Sequence, residues 1–233
     1  MTCRRFFSQH APANKLLPIT GDEFFHLRKV NRAIIGDKIE VINGKGTLFR
    51  GEIVSFSKDQ ALIKVYDQES QDRQKVGVII APSLTKRKAM NIMIEKLTEI
   101  GVDEIRPVIF SRTEENFNST MIKRWKKIAQ QSLKVNKMLF ETDIYPPVSY
   151  KVLPETIKTV KSKILLHMQG KPLESSKFPP PIAAVIGPPG GLLTTERDFL
   201  HENGYTNYSI NNCTLKSETA AISIAAILKM TRK

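Results

Sequence analysis

Hydrophobic and polar positions change rhythm once along this chain. Up to about residue 70 the period is two. GDKIEVI (36–42), LFRGEIVSF (48–56) and QALIKVY (60–66) alternate apolar and polar side chains, and the turn-forming stretches NGKG (43–46) and SKD (57–59) separate them. That alternation puts one face of each strand on a core and the other in water. Three strands so closely joined predict a small β-barrel. Ahead of them, GDEFFHLRKVNR (21–32) has Phe24, Leu27 and Val30 at helical spacing, with Arg28, Lys29 and Arg32 interspersed.

QESQDRQK (68–75) is a polar linker, and the pattern changes after it. VGVIIAP (76–82), EIRPVIF (104–110), KILLHM (163–168) and PIAAVIG (181–187) are unbroken apolar runs, the signature of strands buried on both faces. Helical patterns lie between them. In KRKAMNIMIEKLTEIG (86–101) Met90, Ile94 and Leu97 share a face and Gly101 is the stop signal. TMIKRWKKIAQQSLKVNKM (120–138) is a long basic helix, and TTERDFLHEN (194–203) is a helix with Thr195 and Asp198 spaced as a capping box. A short strand is expected around YSIN (208–211), and the alanine-rich SETAAISIAAILKM (217–230) closes the chain as a helix. Strands alternating with helices predict an α/β domain with a largely parallel sheet. The expected division is a β-barrel domain over 1–72 and an α/β domain over 73–233, with no internal repeat.

Charge adds a partner class. Lys and Arg number 36 against 23 Asp and Glu, a formal net charge of +13. Such a field attracts polyanions, nucleic acid first and an anionic membrane second, although a basic protein need not have an anionic partner. Cys3 and Cys213 make no CxxC, zinc pattern or disulfide framework, and the four histidines show no metal-ligand spacing. No apolar run reaches the length of a membrane span, and MTCRRFFSQH has no apolar core of a secretory signal. A cytoplasmic protein without a bound metal is expected.

Candidate chemistry concentrates where the buried run ending at Ile186 meets Gly187-Pro188-Pro189-Gly190-Gly191. Ligands of open α/β sheets bind beyond the carboxyl ends of strands, and glycine lets them approach the backbone. The loop is no Walker A motif and no GxGxxG, and its two prolines lack the N–H groups of a phosphate nest. A neutral or cationic ligand fits better than a triphosphate or dinucleotide; a rigid turn holding a helix against the sheet fits as well. A second cluster, Leu215-Lys216-Ser217-Glu218-Thr219-Ala220-Ala221, has small side chains for close packing. Glu218 and Thr219 fall in a first helical turn, where a carboxylate also serves simply to stabilise the helix.

IGPPGG…TTE followed by LKSETAA resembles the IGPEGG…E and LRxETA motifs of the RsmE family, ribosomal RNA uridine N3-methyltransferases of the SPOUT class. IEKLTEIGV (94–102) is similar to that family's QKxxELGV, and RPVIFSR (106–112) to the strand that ends on its arginine. RRFF (4–7) and HLRKVNR…GD (26–37) are similar to its R-x-F start and its H…VxR…GD stretch. The matches run in the same order over almost the whole chain.

The resemblance implies a SPOUT-type trefoil-knotted methyltransferase domain behind an N-terminal PUA-like small β-barrel that binds RNA. It implies S-adenosylmethionine held in the knot by His167, Ile186, Gly187, Pro188, Gly190, Gly191, Leu215, Lys216, Thr219 and Ala220. It also implies a homodimer whose partner molecule is ribosomal RNA in the small (16S) subunit. Arg112 and Lys216 are the candidates for stabilising charge on the uracil carbonyls, and Glu218 for proton handling. Basic residues for RNA are Arg4, Arg5, Arg28, Lys29 and Arg32, then Lys86, Arg87 and Lys88, then Lys123, Arg124, Lys126 and Lys127. Lys96, three residues before Glu99, is either a further RNA contact or half of a surface pair. Trp125 is a base-stacking platform or a core anchor.

The sequence departs from the family's pattern at three places. Pro189 stands where GPEGG has its acid, Lys216 replaces the arginine before ETA with Asn211-Asn212-Cys213 ahead of it, and KVNKM (134–138) stands where EQxxR is expected. Lys keeps the charge of Arg but loses its planar fork. Two function classes therefore stay open: a ribosomal RNA methyltransferase, and a non-catalytic RNA-binding or ribosome-assembly protein on the same scaffold. Glu218-Thr219-Ala220 and the glycines favour the enzyme, because a binding module needs no cofactor slot. No glycine-rich loop follows an early strand, which argues against a Rossmann-type methyltransferase.

Overall fold

Period-two alternation over the first 70 residues produces five strands. In the computed structural model, which describes residues 4–73, 77–174 and 178–230, these are β1 (Arg4–Phe7), β2 (Leu16–Thr20), β3 (Lys38–Ile42), β4 (Thr47–Phe56) and β5 (Gln60–Ser70). Cys3, the linker residues Gln74 and Lys75, and Val76 lie outside the described residues. The strands pair in the order β1-β3-β4-β5-β2, antiparallel except between β1 and β3. Alternate positions such as Ile39, Val41, Phe49, Ile53, Ala61 and Ile63 meet Phe6, Leu17 and Ile19 in one core. Two register irregularities between β4 and β5 add twist, and the expected barrel is realised as a half-barrel whose edges are β1 and β2. The helix predicted over 21–32 is α1 (Gly21–Phe25) running into a π-helical turn over His26–Val30; Arg32, at φ +51°, ends it.

The chain divides into two units, 1–73 with 130–141, and 74–129 with 142–233. Residues 130–141, which the sequence reading placed after the boundary at 72, group with the first. Leu133, Met138 and Leu139 pack on Phe7, Ile42 and Leu48, and Lys134 Nζ donates to Glu23 Oε1 at 2.6 Å. Glu23 Oε2 accepts the Phe7 N–H at 3.0 Å, so this carboxylate is satisfied from both sides.

The second unit is built on a parallel sheet. Its elements are β6 (Val78–Pro82), α2 (Arg87–Ile100), β7 (Glu104–Ile105), β8 (Val108–Ile109), α3 (Ser119–Val135), β9 (Asp143–Ile144), β10 (Val148–Ser149), α4 (Leu153–Thr156), β11 (Ser162–Pro172), β12 (Ile182–Ile186), α5 (Thr194–Glu202), β13 (Thr206–Ser209) and α6 (Ser217–Met230). Six strands lie in the order β13-β11-β12-β6-β7-β9 and every pairing is parallel. Val78, Ile80, Ile182, Ala184 and Ile186 face α2 and α6, while Ile79, Ala81, Ala183 and Val185 face Leu153, Leu200 and Tyr205. Both faces are thus covered, which is why these runs lack alternation in sequence. Trp125 is fully buried beside Met121 and Ala129, so it is a core anchor and not a platform for a base.

Two readings are corrected in detail. EIRPVIF is not one strand: it breaks at Arg106-Pro107 into β7 and β8, and β8 pairs with β10 in a separate two-stranded sheet. Pro107 has no N–H to continue the ladder. The Arg106 guanidinium turns aside to Glu104, at 2.6 Å, and over the Tyr145 ring, at 3.7 Å. The cap of α5 does not use Thr195 and Asp198. Leu193 is the N-cap, and Glu196, fully buried, accepts its N–H at 2.9 Å and that of Ser111 at 2.6 Å.

Gly170 permits the closest backbone approach in the sheet. A Cβ there would lie 2.5–2.6 Å from backbone atoms of Tyr208 on β13, next to the register shift between β11 and β13. Gly170→Ala is expected to loosen β13, costing about 1–3 kcal/mol and accelerating amide exchange at 206–209 ahead of the rest of the sheet. Unchanged exchange there would show that the strands part without cost. Glu196→Ala removes the acceptor of two part-buried N–H groups and should cost about 1–3 kcal/mol in urea unfolding; a loss below about 0.5 kcal/mol would mean that water replaces the carboxylate.

Candidate functional site

The carboxyl ends of β11, β12 and β13 adjoin in the sheet, and the loops leaving them converge on one cavity of about 430 Å³. That is within the range of small-molecule sites. Leu166 to Gln169 come from β11, Ile186 to Leu192 (without Gly190) from the end of β12, and Ser209 to Asn211 with Cys213 to Leu215 from beyond β13. Arg197 on α5, and Ser217 and Ala220 on α6, complete the wall.

A backbone bond and two side chains hold the GPPGG loop. The Gly191 N–H donates to the Pro188 carbonyl at 2.8 Å, closing a turn in which Gly191 has φ +73°. Only glycine adopts that angle without strain. Ser217 Oγ donates to the Gly187 carbonyl at 3.2 Å, tying the start of α6 to the loop. Arg112 Nη1 donates to the Gly190 carbonyl at 2.6 Å, one residue beyond the Ser111 N–H that Glu196 accepts. The turn after β8 therefore holds the C-terminal side of the loop, and Ser217 holds its start.

Of the residues named from sequence for a cofactor, His167, Ile186, Gly187, Pro188, Gly191, Leu215 and Ala220 line the cavity. Gly190, Lys216 and Thr219 do not. A Cβ at Gly190 would point at Arg112, 3.4 Å from its Cδ. On α6 Ser217 and Ala220, three apart, line the cavity, while Glu218, Thr219 and the preceding Lys216 are absent from its lining. Arg112, Lys216 and Glu218, the candidate catalytic residues, all lie outside the lining, with Arg112 bound to its rim through Gly190. Of the places where the sequence departs from the resembled pattern, Pro189, Asn211 and Cys213 lie on the wall itself. Sequence reasoning missed Met168, Gln169, Thr214 and Arg197. Met168 and Gln169 continue β11 and Thr214 follows β13, so these were findable by position; nothing local marks Arg197.

His167 Nδ1 accepts the Gln169 N–H at 3.2 Å, which leaves the other ring nitrogen to carry the proton of the neutral form. Burial, then the charges of Arg197 and His201, hold its pKa below the usual imidazole value. Each of these effects favours the neutral ring. No Asp or Glu lines the cavity, and among the described residues no three His, Cys, Asp or Glu are grouped to hold a metal.

Basic residues sort by availability. Lys29, Arg32 and Arg87 are exposed, as are Arg4, which donates to the Asn31 carbonyl at 2.7 Å, and Arg28, which lies over the Phe56 ring at 4.3 Å. Arg5 is different: its side chain is 8% exposed and donates to Glu40 at 2.7 and 3.0 Å. Lys96 is bridged by Glu95 at 2.8 Å and Glu99 at 2.9 Å, both of which raise its pKa, so the surface-pair reading describes it. Arg124 donates to Asn91 at 3.2 Å, and burial, followed by the charge of Arg87, lowers its pKa. No helix of the described residues is long and apolar enough to cross a membrane.

Comparison with known proteins agrees with this geometry. Residues 72–229 match the family model of the RNA methyltransferase domain, and residues 19–66 match that of the RNA methyltransferase PUA domain. The ribosomal RNA small subunit methyltransferase E of Aquifex aeolicus is 24% identical over 230 residues, covering 96% of this chain and 97% of that protein. The protein of the same name from Bacillus subtilis is 25% identical, covering 88% of this chain and 86% of its own. Among solved structures, a Legionella pneumophila chain in complex with S-adenosylmethionine superposes with a TM-score of 0.89 at 22% identity, covering 99% of this chain and 98% of that one. A ribosomal RNA small subunit methyltransferase E from Neisseria gonorrhoeae, also bound to S-adenosylmethionine, gives 0.88 at 19% identity, covering 98% and 97%. The fold is that of these methyltransferase structures, with a PUA-like half-barrel at its N-terminal part, and, with the domain model matched over well more than half of its residues, the chain belongs to the RNA methyltransferase domain family.

Proposed function

We propose that this protein is an S-adenosylmethionine-dependent methyltransferase of small-subunit (16S) ribosomal RNA, that its target atom is N3 of a uridine, and that it works in the cytoplasm as a homodimer. The observation that carries the proposal is the cavity at the ends of β11, β12 and β13, walled by the GPPGG loop in a family of RNA methyltransferases. Its lining fits the cofactor. Leu166, Ile186, Ile210 and Leu215 offer an apolar slot for a nucleobase, and the Ile186–Gly191 backbone offers hydrogen-bonding groups without bulk. When bound, the cofactor supplies an electrophilic methyl group on its sulfonium sulfur.

The protein's own residues then have three tasks. The clamped loop fixes the cofactor's position, which matters because methyl transfer requires an in-line approach. Arg112 spends one guanidinium nitrogen on Gly190 and leaves the others exposed, available to a uracil carbonyl as N3 loses its proton. Lys216 and Glu218 stand at the start of α6 beside the cavity-facing Ser217, the former as a second cation and the latter as the proton-handling group. The exposed cations Arg4, Arg28, Lys29 and Arg32 of the first unit take the RNA backbone, and Phe25, at 61% exposure in the same stretch, offers a face to a base.

Calorimetric titration with S-adenosylmethionine and its demethylated product tests the cofactor. Saturable binding is expected, reduced at least about tenfold by Leu215→Trp, which fills the slot; absence of binding by the folded wild type overturns the enzyme in favour of an RNA-binding protein on the same scaffold. Mass spectrometry of nucleosides from treated small-subunit RNA should then show 3-methyluridine, and a methyl group elsewhere would correct the target atom. Replacing Arg28, Lys29 and Arg32 together with Ala should weaken RNA binding and flatten its dependence on log[salt] by roughly 0.7–0.9 per lost phosphate contact. An unchanged slope would place the RNA elsewhere.

A further inference from the structure

Arg197 is the sole full positive charge on the cavity wall, and among the described residues it has no ion-pair partner. It lies among the lining residues, half-buried. Among the described residues no carboxylate, carbonyl or hydroxyl accepts from its guanidinium, and no Asp or Glu lines the cavity. Its place in the helix is unfavourable as well. Arg197 is the fourth residue of α5, where the positive end of the helix dipole favours an acid. The neighbouring imidazole of His167 carries no negative charge in either protonation state and offers no compensation. A cation kept unpaired against both burial and the dipole marks a site for an anion.

We infer that Arg197 binds the α-carboxylate of the methionine part of S-adenosylmethionine and so discriminates the cofactor from analogues that lack this group. The inference rests on the cofactor reading above. S-adenosylmethionine carries one anion, that carboxylate, and two cations, its ammonium and its sulfonium. A wall with one cation and no acid selects the anionic end and fixes which way round the molecule lies. Arg serves this purpose better than Lys, because its planar fork meets a carboxylate in two parallel hydrogen bonds. Arg197 is therefore a specificity-determining residue of the cofactor site, and it is absent from the motifs that mark the loop and α6.

Calorimetry with two probes tests it: S-adenosylmethionine, and its decarboxylated form, which keeps the ammonium and sulfonium groups. The wild type should prefer the former by about 10- to 100-fold, as expected of a charge-assisted bond. Arg197→Met should abolish that preference by weakening S-adenosylmethionine alone, and Arg197→Lys should restore part of it. Equal weakening of both ligands by Arg197→Met, with the fold intact by circular dichroism, would make Arg197 a wall residue and overturn the inference. So would a wild type that binds both ligands equally. Binding of neither ligand to the wild type would overturn the cofactor reading itself, and this inference with it.

Discussion

One buried carboxylate organises the functional end of the sheet. Glu196 is fully withdrawn from water and accepts two backbone N–H groups, from Leu193 on its own loop and from Ser111 after β8. A charge in that position persists only with such partners. The bond to Ser111 spans 85 residues, and Arg112 adds a second tie from the same turn to the Gly190 carbonyl. A glycine- and proline-rich loop has few side chains with which to hold itself. Its shape is imposed from outside, and the cavity inherits that shape.

Parallel topology supplies the rest. With every strand of the six-stranded sheet running the same way, all its carboxyl-end loops emerge together, and three from adjacent strands meet. Gly170 lets β13 lie against β11 at a distance no other residue allows, which draws the 209–215 loop to the cavity. Ser217 then fastens α6 to Gly187. The resulting wall is mostly apolar with a single cation, a suitable host for a molecule that is mostly nucleoside and carries one carboxylate.

Charge in the first unit is distributed unevenly. Arg5, Glu40, Arg50, Asp67 and Glu69 form a ladder of ion pairs across β1, β3, β4 and β5, with contacts of 2.6–3.7 Å. Cations in the ladder are compensated and contribute little to an outward field. Those over 28–32 are not drawn into it and sit beside the exposed Phe25, Val30, Ile34 and Ile35. A basic and apolar surface of this kind suits single-stranded RNA, in which both phosphates and base faces are accessible.

Much of this was legible in the chain. Period-two alternation located β3, β4 and β5, unbroken apolar runs located β6, β11 and β12, and the α6 bounds Ser217–Met230 coincide with the sequence reading. These signals are local, because burial on one face or both leaves a mark on consecutive residues. The GPPGG motif and the ETA segment likewise named most of the cavity wall that belongs to β12 and α6. What sequence could not reach depends on residues far apart. It assigned the α5 cap to Thr195 and Asp198, since capping patterns are counted locally, whereas Glu196 was chosen by a donor 85 residues away. It grouped Arg5 with the RNA-binding cations, but Glu40 on the adjacent strand claims it. Arg197 looked like any helix cation until the fold put it on a wall with no acid. The sequence by itself determined which segments are strands and helices and which loop has glycine where a ligand needs room. Only the tertiary structure decided which charges are paired and which are left for a partner, because pairing is settled by distance in space and not by separation along the chain.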